Sequence, residues 1–197
     1  MQRLSCLLLV CIAACATIEP TKFPRSAEGW NPSKIGDVYE YVSGTGTTFT
    51  KTVIAVDGLA VTDQRSDRQL PQTMVADFFE THDSKGDPWF VEGDIIGFFP
   101  LEIGKVLRWR SFQHQRLAAE GTTRVIGRER LTVPAGTFDT LIVVTLWDDP
   151  RYRWTGEATR WLAPSIGRYV KWESFTNTDT GPRRSSATLV RIQPAAR

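Results

Sequence analysis

None of the three cysteines in this 197-residue chain lies beyond residue 15: they are Cys6, Cys11 and Cys15. The rest of the chain therefore has no disulfide, and burial of apolar side chains must supply its stability. Only two histidines occur, His82 and His114, without the spacing of a zinc-binding pair. The sequence also lacks a phosphate loop, a dinucleotide fingerprint and a Gly-x-Ser-x-Gly elbow. These absences predict a protein that is not an enzyme and uses no metal or cofactor.

The first fifteen residues have the pattern of an export signal. Arg3 precedes an apolar run at residues 4–10, and the small residues Ala13 and Ala14 come directly before Cys15. This arrangement is similar to a bacterial lipobox, which implies lipidation of Cys15 and cleavage just before it. A plain signal peptide and an uncleaved anchor are the alternatives. The apolar run is shorter than the roughly 18 residues of a membrane-spanning helix, and lipid attachment explains the cysteine.

The start of the chain also predicts its location and domain organisation. Ala16 follows Cys15 where an Asp usually marks retention in the inner membrane, so the resemblance implies the periplasmic face of the outer membrane of a Gram-negative cell. We expect residues 1–14 to be the lipoprotein signal peptide and residues 35–197 to form a single β-rich domain. Residues 15–34 contain several prolines and glycines and are predicted to be a lipidated, flexible tether.

Turn residues, among them Glu120-Gly121 and Thr155-Gly156, recur along the domain between stretches rich in Val, Ile, Thr, Tyr, Phe and Trp, which predicts an all-β fold. Strands are expected near residues 36–43, 47–56, 59–65, 72–82, 105–115, 122–133, 137–148, 151–162, 168–177 and 184–193. Residues 70–79 are ambiguous, because Leu70, Met74 and Phe78 recur at helical spacing while the following turn suits the arm of a hairpin.

The clearest local unit is the hairpin over residues 133–138. Pro134 presets φ at the first corner of the turn, and Gly136 can adopt the positive φ that a short loop needs. Pro164 and Gly167 mark a second structural turn of the same kind.

These motifs carry a family resemblance. The chain contains Pro100-Leu101 with Gly104-Lys105, then Val133-Pro134-Ala135-Gly136-Thr137-Phe138, then Trp161-Leu162-Ala163-Pro164 with Gly167 and Val170-Lys171. This order resembles that of uncharacterised bacterial envelope lipoproteins whose domains are similar to the LolA/LolB group. The resemblance implies a strongly curved antiparallel sheet, a half-barrel or open barrel of about ten strands, whose apolar concave face binds acyl chains.

Strand alternation predicts which side chains would form that concave face. The candidate apolar-ligand residues are Val125, Leu131, Phe138, Ile142 and Val144. Alternation also groups arginines on the other face, and the candidate basic residues are Arg108, Arg110, Arg124, Arg128 and Arg130.

Charge is distributed unevenly along the chain. Residues 15–102 carry seven basic and fourteen acidic side chains, whereas residues 103–197 carry sixteen and eight. Either the two halves attract each other in one solvated sheet, or a basic, Trp- and Arg-rich face contacts an anionic lipid or another envelope component. Nucleic acid is excluded as a partner by the envelope location.

Together these features predict a lipid-anchored envelope protein that acts by binding an apolar or lipid-like ligand or a lipoprotein. The alternative is a structural or interaction lipoprotein that uses the basic face, and an unrecognised hydrolase is a third hypothesis. Asp148 and Asp149 do not form a catalytic carboxylate pair, because adjacent strand residues point to opposite faces.

Replacing Cys15 with Ser should release the protein from membranes, because no other cysteine remains after cleavage to carry lipid. Cell fractionation and labelling with palmitate would test this, and only the wild type should incorporate the label. A Cys15→Ser protein that still sediments with the outer membrane would show that another feature anchors it.

Overall fold

A computed structural model describes residues 24–31, 33–81 and 90–196, which form a single antiparallel sheet of twelve strands with one short helix. The strands are β1 (Val38–Ser43), β2 (Thr48–Asp57), β3 (Ala60–Arg65), β4 (Gln72–Val75), β5 (Phe79–Glu80), β6 (Phe90–Glu92), β7 (Val106–Gln113), β8 (Arg116–Val133), β9 (Gly136–Asp149), β10 (Trp154–Ala163), β11 (Arg168–Thr178) and β12 (Gly181–Gln193), and the helix is α1 (Ile95–Phe98). The predicted all-β class and open, curved sheet are confirmed, with twelve strands instead of about ten.

The strand order explains the curvature of the sheet. It runs β5-β4-β3-β2-β1-β12-β11-β10-β9-β8-β7-β6, so β5 and β6 lie at opposite edges. Only residues 81–89 connect these two edges along the chain, a link that spans at most about 35 Å. A flat sheet of twelve strands would separate them by about 53 Å, so the sheet must curl.

Curling lets a single sheet bury its own apolar face. In β2 the alternate residues Phe49 and Val53 are buried, and Val143 at the centre of β9 is fully buried. These inward positions belong to one core cluster that also contains Phe78 and Phe98 from outside the long strands. We call the face that carries these positions the concave face.

The ambiguous segment at residues 70–79 forms two short strands, β4 and β5, and no helix. Met74 pairs with Val61 of β3 on one side and with Glu80 of β5 on the other. This pairing satisfies the hydrogen-bonding groups of the backbone, so the segment forms strands although its apolar residues recur at helical spacing. The predicted single strand over 72–82 is interrupted because Ala76 and Asp77 adopt left-handed φ values of 47° and 56°.

Part of the predicted tether is ordered against the sheet. Ala27 and Trp30 pack on the core cluster, and the backbone N–H of Asn31 donates to the carbonyl oxygen of Pro164 at 2.8 Å. Ser33 is buried. Contacts with the sheet therefore begin before residue 35, within the predicted tether.

Cys15 and the signal segment 1–14 lie outside the described residues. Within the part of the chain that the structure describes, no helix has the length and apolar character needed to span a membrane.

Each of the two structural turns contains a glycine with a positive φ. Pro134 and Ala135 form the loop between β8 and β9, and Gly136, opposite Val133, has a φ of 137°. Gly167 has a φ of 64° before β11. A φ in this range is accessible to glycine and strained for β-branched residues.

Gly136→Val should lower the free energy of unfolding by more than about 1 kcal/mol, because valine is forced to an unfavourable φ. Gly127→Val is the matched control: its φ is outside the left-handed region and a Cβ there meets only the Cδ1 of Ile142, at 3.8 Å. Urea denaturation followed by tryptophan fluorescence would compare them. Equal losses for the two variants would contradict a role for the positive φ.

Candidate functional site

Charged residues occupy positions on the concave face where alternation would place apolar ones. Lys51 lies between the buried Phe49 and Val53 of β2, and Asp63 lies two residues after the buried Val61 of β3. Charges buried in this way must be paired, because removing an ion from water is costly.

The structure pairs these two residues with Asp77, which follows β4, and Arg168, the first residue of β11. All four are buried, with exposures of 2% for Lys51 and Asp77, 1% for Asp63 and 0% for Arg168. We call these four residues the charge cluster. Two cations and two carboxylates make its formal charge zero.

The contacts within the charge cluster are short and directional. The guanidinium of Arg168 donates through Nη1 and Nη2 to the two oxygens of Asp63, at 2.7 and 2.6 Å. The Nζ of Lys51 donates to Oδ1 of Asp77 at 2.9 Å, and Nη1 of Arg168 reaches the same oxygen at 3.3 Å. Bidentate pairing of arginine with a carboxylate is the geometry in which a buried ion pair is most favourable.

Neighbouring groups satisfy the remaining polar atoms of the charge cluster. Nε of Arg168 donates to Oγ of Ser33 at 2.9 Å, and the backbone N–H of Tyr169 donates to Oδ2 of Asp77 at 3.0 Å. The Nζ of Lys51 lies 4.6 Å from the ring centroid of Tyr169, where a cation–π interaction adds to the ion pair.

Electrostatic pairing outweighs desolvation at these residues. Burial by itself lowers the pKa of Arg168 and of Lys51, but the facing carboxylates, chiefly Asp77, raise both pKa values above their usual range. Burial by itself raises the pKa of Asp77, and Lys51 and Arg168 bring it below its usual value. The charged forms are therefore the stable ones.

The charge cluster fixes a structural element that we call the tongue, residues 72–80, which contains β4 and β5. The left-handed backbone at Ala76 and Asp77 turns the chain, and Asp77 then contacts Lys51 of β2 and Arg168 of β11. Aspartate tolerates this conformation better than most residues. Since its ions are engaged with one another, the charge cluster holds the tongue in place and leaves no free acid or base.

Beside the tongue, tryptophan and glycine alternate across four strands of the concave face. Trp109 of β7 is opposite Gly121 of β8, Gly121 is opposite Trp147 of β9, and Trp147 is opposite Gly156 of β10. We call Trp109 and Trp147 the aromatic floor. Cross-strand pairs of this kind let a ring cover the bare backbone of a glycine.

The two glycines are required by the rings. A Cβ on Gly156 would overlap the ring of Trp147, and one on Gly121 would overlap the backbone oxygen of Leu146 and lie 2.7 Å from Cζ2 of Trp109. Nε1 of Trp109 donates to Oγ1 of Thr123 at 3.1 Å, which fixes the rotation of that indole. The aromatic floor is therefore held rigidly against the sheet.

A cavity of about 290 Å³ lies between the aromatic floor and the tongue. The residues that line it include Phe78, Phe79 and Glu80 from the tongue, Trp109, Trp147, Trp154, Ala119, Thr145 and Arg160. Phe79 contacts Trp109 edge to face, with ring centroids 5.7 Å apart. We call this space the aromatic cavity. Its volume is near the lower end of the range of small-molecule sites.

The five residues predicted to form an apolar-ligand face do not share one face. A β-bulge at Ile126 places Val125 opposite Val143 and Gly127 opposite Ile142, so alternation reverses along β8. Val125 is on the concave face, whereas the other four share the opposite face: Leu131, Phe138, Ile142 and Val144. None of the five lines the aromatic cavity.

The same bulge divides the predicted basic face. Arg108, Arg110 and Arg124 are exposed on the convex face, and Arg110 forms an ion pair with Glu120 at 3.4 Å. Beyond the bulge, Arg128 and Arg130 lie opposite Leu141 and Asp139, on the other face of the sheet. The five arginines therefore do not form one continuous basic surface.

The charge cluster and the aromatic floor were not identified from the sequence. One signal was available for the cluster, because Lys51 and Asp63 interrupt the inward alternation of apolar residues in their strands. The sequence instead predicts turns at Gly121 and Gly156. His114 lies in the β7–β8 turn, and His82 lies outside the described residues. In residues 24–31, 33–81 and 90–196, no group of His, Cys, Asp and Glu could hold a metal ion.

No family model and no curated protein matches this chain. Among solved structures, it is similar to a predicted exported protein with a YmcC-like fold from Bacteroides fragilis, with 15% identity, a TM-score of 0.41, and coverage of 83% of this chain and 98% of the other. It is also similar to a predicted lipoprotein from Parabacteroides distasonis, with 12% identity, a TM-score of 0.41, and coverage of 85% and 99%.

A third similar structure is the hypothetical lipoprotein YmcC from Escherichia coli, with 11% identity, a TM-score of 0.46, and coverage of 82% of this chain and 85% of the other. At these TM-scores the similarities carry no conclusion about function. None of the three is named as a LolA or LolB protein, so that resemblance stays a prediction.

Lys51→Met and Asp77→Asn should each lower the free energy of unfolding by about 3–5 kcal/mol, because each leaves the buried charge cluster with an uncompensated net charge. The free energy of unfolding of the double variant should fall by much less than the sum of the two single losses, since Arg168 and Asp63 remain a neutral pair. Urea denaturation of the four proteins would give the coupling energy.

The exposed pair of Glu40 and Arg191, whose Oε2 and Nη2 are 2.7 Å apart, is the matched control for that cycle. Its coupling energy should be below about 1 kcal/mol because solvent screens it. Additive losses at Lys51 and Asp77 would contradict the assignment of the charge cluster as one interacting unit.

Proposed function

We propose that this protein is a lipid-anchored cell-envelope protein that binds an apolar or lipid-like ligand in the aromatic cavity. The observation that carries this proposal is the aromatic floor, where two half-buried indoles lie over glycines and face an open space of about 290 Å³. An apolar cavity with a few polar groups at its margin is the usual form of a small-molecule site.

The gain from binding comes from apolar surface that the ligand removes from water. Covering about 100 Å² of such surface would contribute about 2.5 kcal/mol. The floor is already rigid, because Thr123 accepts from the indole of Trp109 and itself hydrogen-bonds Thr145 at 3.1 Å. A preorganised site loses little side-chain entropy when the ligand binds.

The proposal is for binding and not for catalysis. The four charged groups of the charge cluster already bind one another. At the rim of the cavity, Asp149 accepts from Nε and Nη2 of Arg151, at 3.1 and 2.8 Å. General acid–base catalysis needs a group that is free to exchange a proton with the substrate.

The location is part of the same proposal and depends on the sequence around Cys15. A lipid on Cys15 would place the domain at a membrane surface, where apolar ligands are concentrated. We propose the periplasmic face of the outer membrane as that surface.

A second candidate function is attachment to another envelope component through the convex face. Arg108 and Arg124 are exposed there, beside Val106 and Leu146, which are 52% and 44% exposed. In the described residues, neither arginine has a carboxylate within ion-pair distance. This candidate is secondary, because the bulge at Ile126 removes Arg128 and Arg130 from that face.

The neutral probe N-phenyl-1-naphthylamine should bind the full-length chain carrying Cys15→Ser, with a rise in probe fluorescence. Ala119→Phe should weaken this binding by at least about tenfold, because the buried Ala119 lines the aromatic cavity and a ring there would fill it. Fluorescence titration would measure both affinities.

Leu146→Phe is the matched control, since it adds a ring at an exposed convex position. Its affinity for the probe should equal that of the parent chain. Failure of the parent chain to bind at high micromolar probe would contradict the proposed function, and equal weakening by both variants would place the binding elsewhere.

A further inference from the structure

Among the described residues, the aromatic cavity contains one cation without a partner. Arg160 of β10 lies two inward-facing positions beyond Gly156 and lines the cavity. Its side chain is half-buried. With the described residues, Arg160 forms no hydrogen bond and no ion pair, in contrast to Arg168 eight residues later in the chain. Burial lowers the pKa of Arg160, which shows that nearby acids do not fully compensate its charge.

The residue opposite Arg160 carries a second donor without a partner among the described residues. Trp172 of β11 is directly opposite Arg160, so the two side chains leave the same face of the sheet as neighbours. Its indole Nε1 is buried and has no acceptor among the described residues. Buried donors are normally hydrogen-bonded, so an unpaired one beside an unpaired cation indicates a place for an acceptor.

The acids near this position do not fill that role. Asp149 is occupied by Arg151, and Asp77 belongs to the charge cluster. Glu80 lines the same cavity, but its Oε1 accepts from Nε2 of Gln72, and burial raises its pKa. Burial therefore disfavours the charged form of Glu80, which makes it a poor partner for Arg160.

We propose that Arg160 and the indole N–H of Trp172 bind the carboxylate of an amphiphilic acid whose apolar part lies on the aromatic floor. This inference rests on the proposed function and names the chemical class of its ligand. The head group of the acid lies at Arg160, and its apolar part extends toward Trp154, near the β9–β10 hairpin. A guanidinium with a second donor beside it matches the acceptor oxygens of a carboxylate.

The test compares two probes of equal length, laurate and dodecanol, by isothermal titration calorimetry with the full-length chain carrying Cys15→Ser. Laurate should bind at least about tenfold more tightly than dodecanol, since only laurate offers a charged acceptor. Equal binding of the two would overturn the head-group inference while leaving the proposed function intact. Binding of neither would overturn both.

Substitutions in the same chain test which residues cause the preference for laurate over dodecanol. Arg160→Met should bring the affinity for laurate to that for dodecanol, and Arg160→Lys should retain part of the preference. Trp172→Phe should weaken the binding of laurate and leave the binding of dodecanol unchanged, because it removes the indole N–H and keeps an aromatic ring. Glu80→Gln should leave laurate binding equal or tighter, because it removes the competing acid. An Arg160→Met protein that keeps the near-ultraviolet circular dichroism of the parent chain and still prefers laurate would refute the assignment.

Discussion

Four buried charges without access to water constrain this structure more than any other interaction. Each ion of the charge cluster would be strongly destabilising alone, so Lys51, Asp63, Asp77 and Arg168 must be brought together in the same folding event. Asp77 reaches the others only when the tongue is folded inward with its left-handed turn. The tongue in turn forms one wall of the aromatic cavity. The shape of the candidate binding site therefore depends on ion pairs that no ligand would touch.

The charge cluster also accounts for part of the uneven charge along the chain. Asp63 and Asp77 come from the acidic first half, and Arg168 comes from the basic second half. The two halves meet where β6 pairs with β7 and where β1 pairs with β12, and at the second of these Glu40 forms an ion pair with Arg191. The interpretation in which the two halves attract each other within one sheet is thus supported by these contacts. The exposed pair contributes less, because solvent screens it.

Local sequence patterns predicted the all-β class and most strands, since turn residues and alternation act over a few positions. The structure departs from these predictions where distant parts of the chain interact. Gly121 and Gly156 resemble turn glycines in isolation, but they lie inside β8 and β10 beneath the rings of Trp109 and Trp147. That role is visible only when the cross-strand partner is known.

The prediction from alternation of which side chains share a face was wrong for a related reason. One extra residue, Ile126, reverses the parity of β8, and nothing in the sequence marks the bulge in advance. The charge cluster depends on still longer separations, because Asp63 and Arg168 are 105 residues apart in the chain. Buried charge in a strand is a local signal, but its partner is defined by topology.

Arg160 and Arg168 differ in how far their burial is compensated by neighbouring groups. Arg168 is fully buried, and four donated hydrogen bonds engage its guanidinium with Asp63, Asp77 and Ser33. Arg160 is half-buried among aromatic rings, and its guanidinium has no such partners among the residues described. A fully satisfied cation stabilises one folded arrangement and has no capacity left for a ligand. The uncompensated cation has the opposite property: its burial is unfavourable in the free protein, and an acceptor oxygen placed beside it would relieve that penalty.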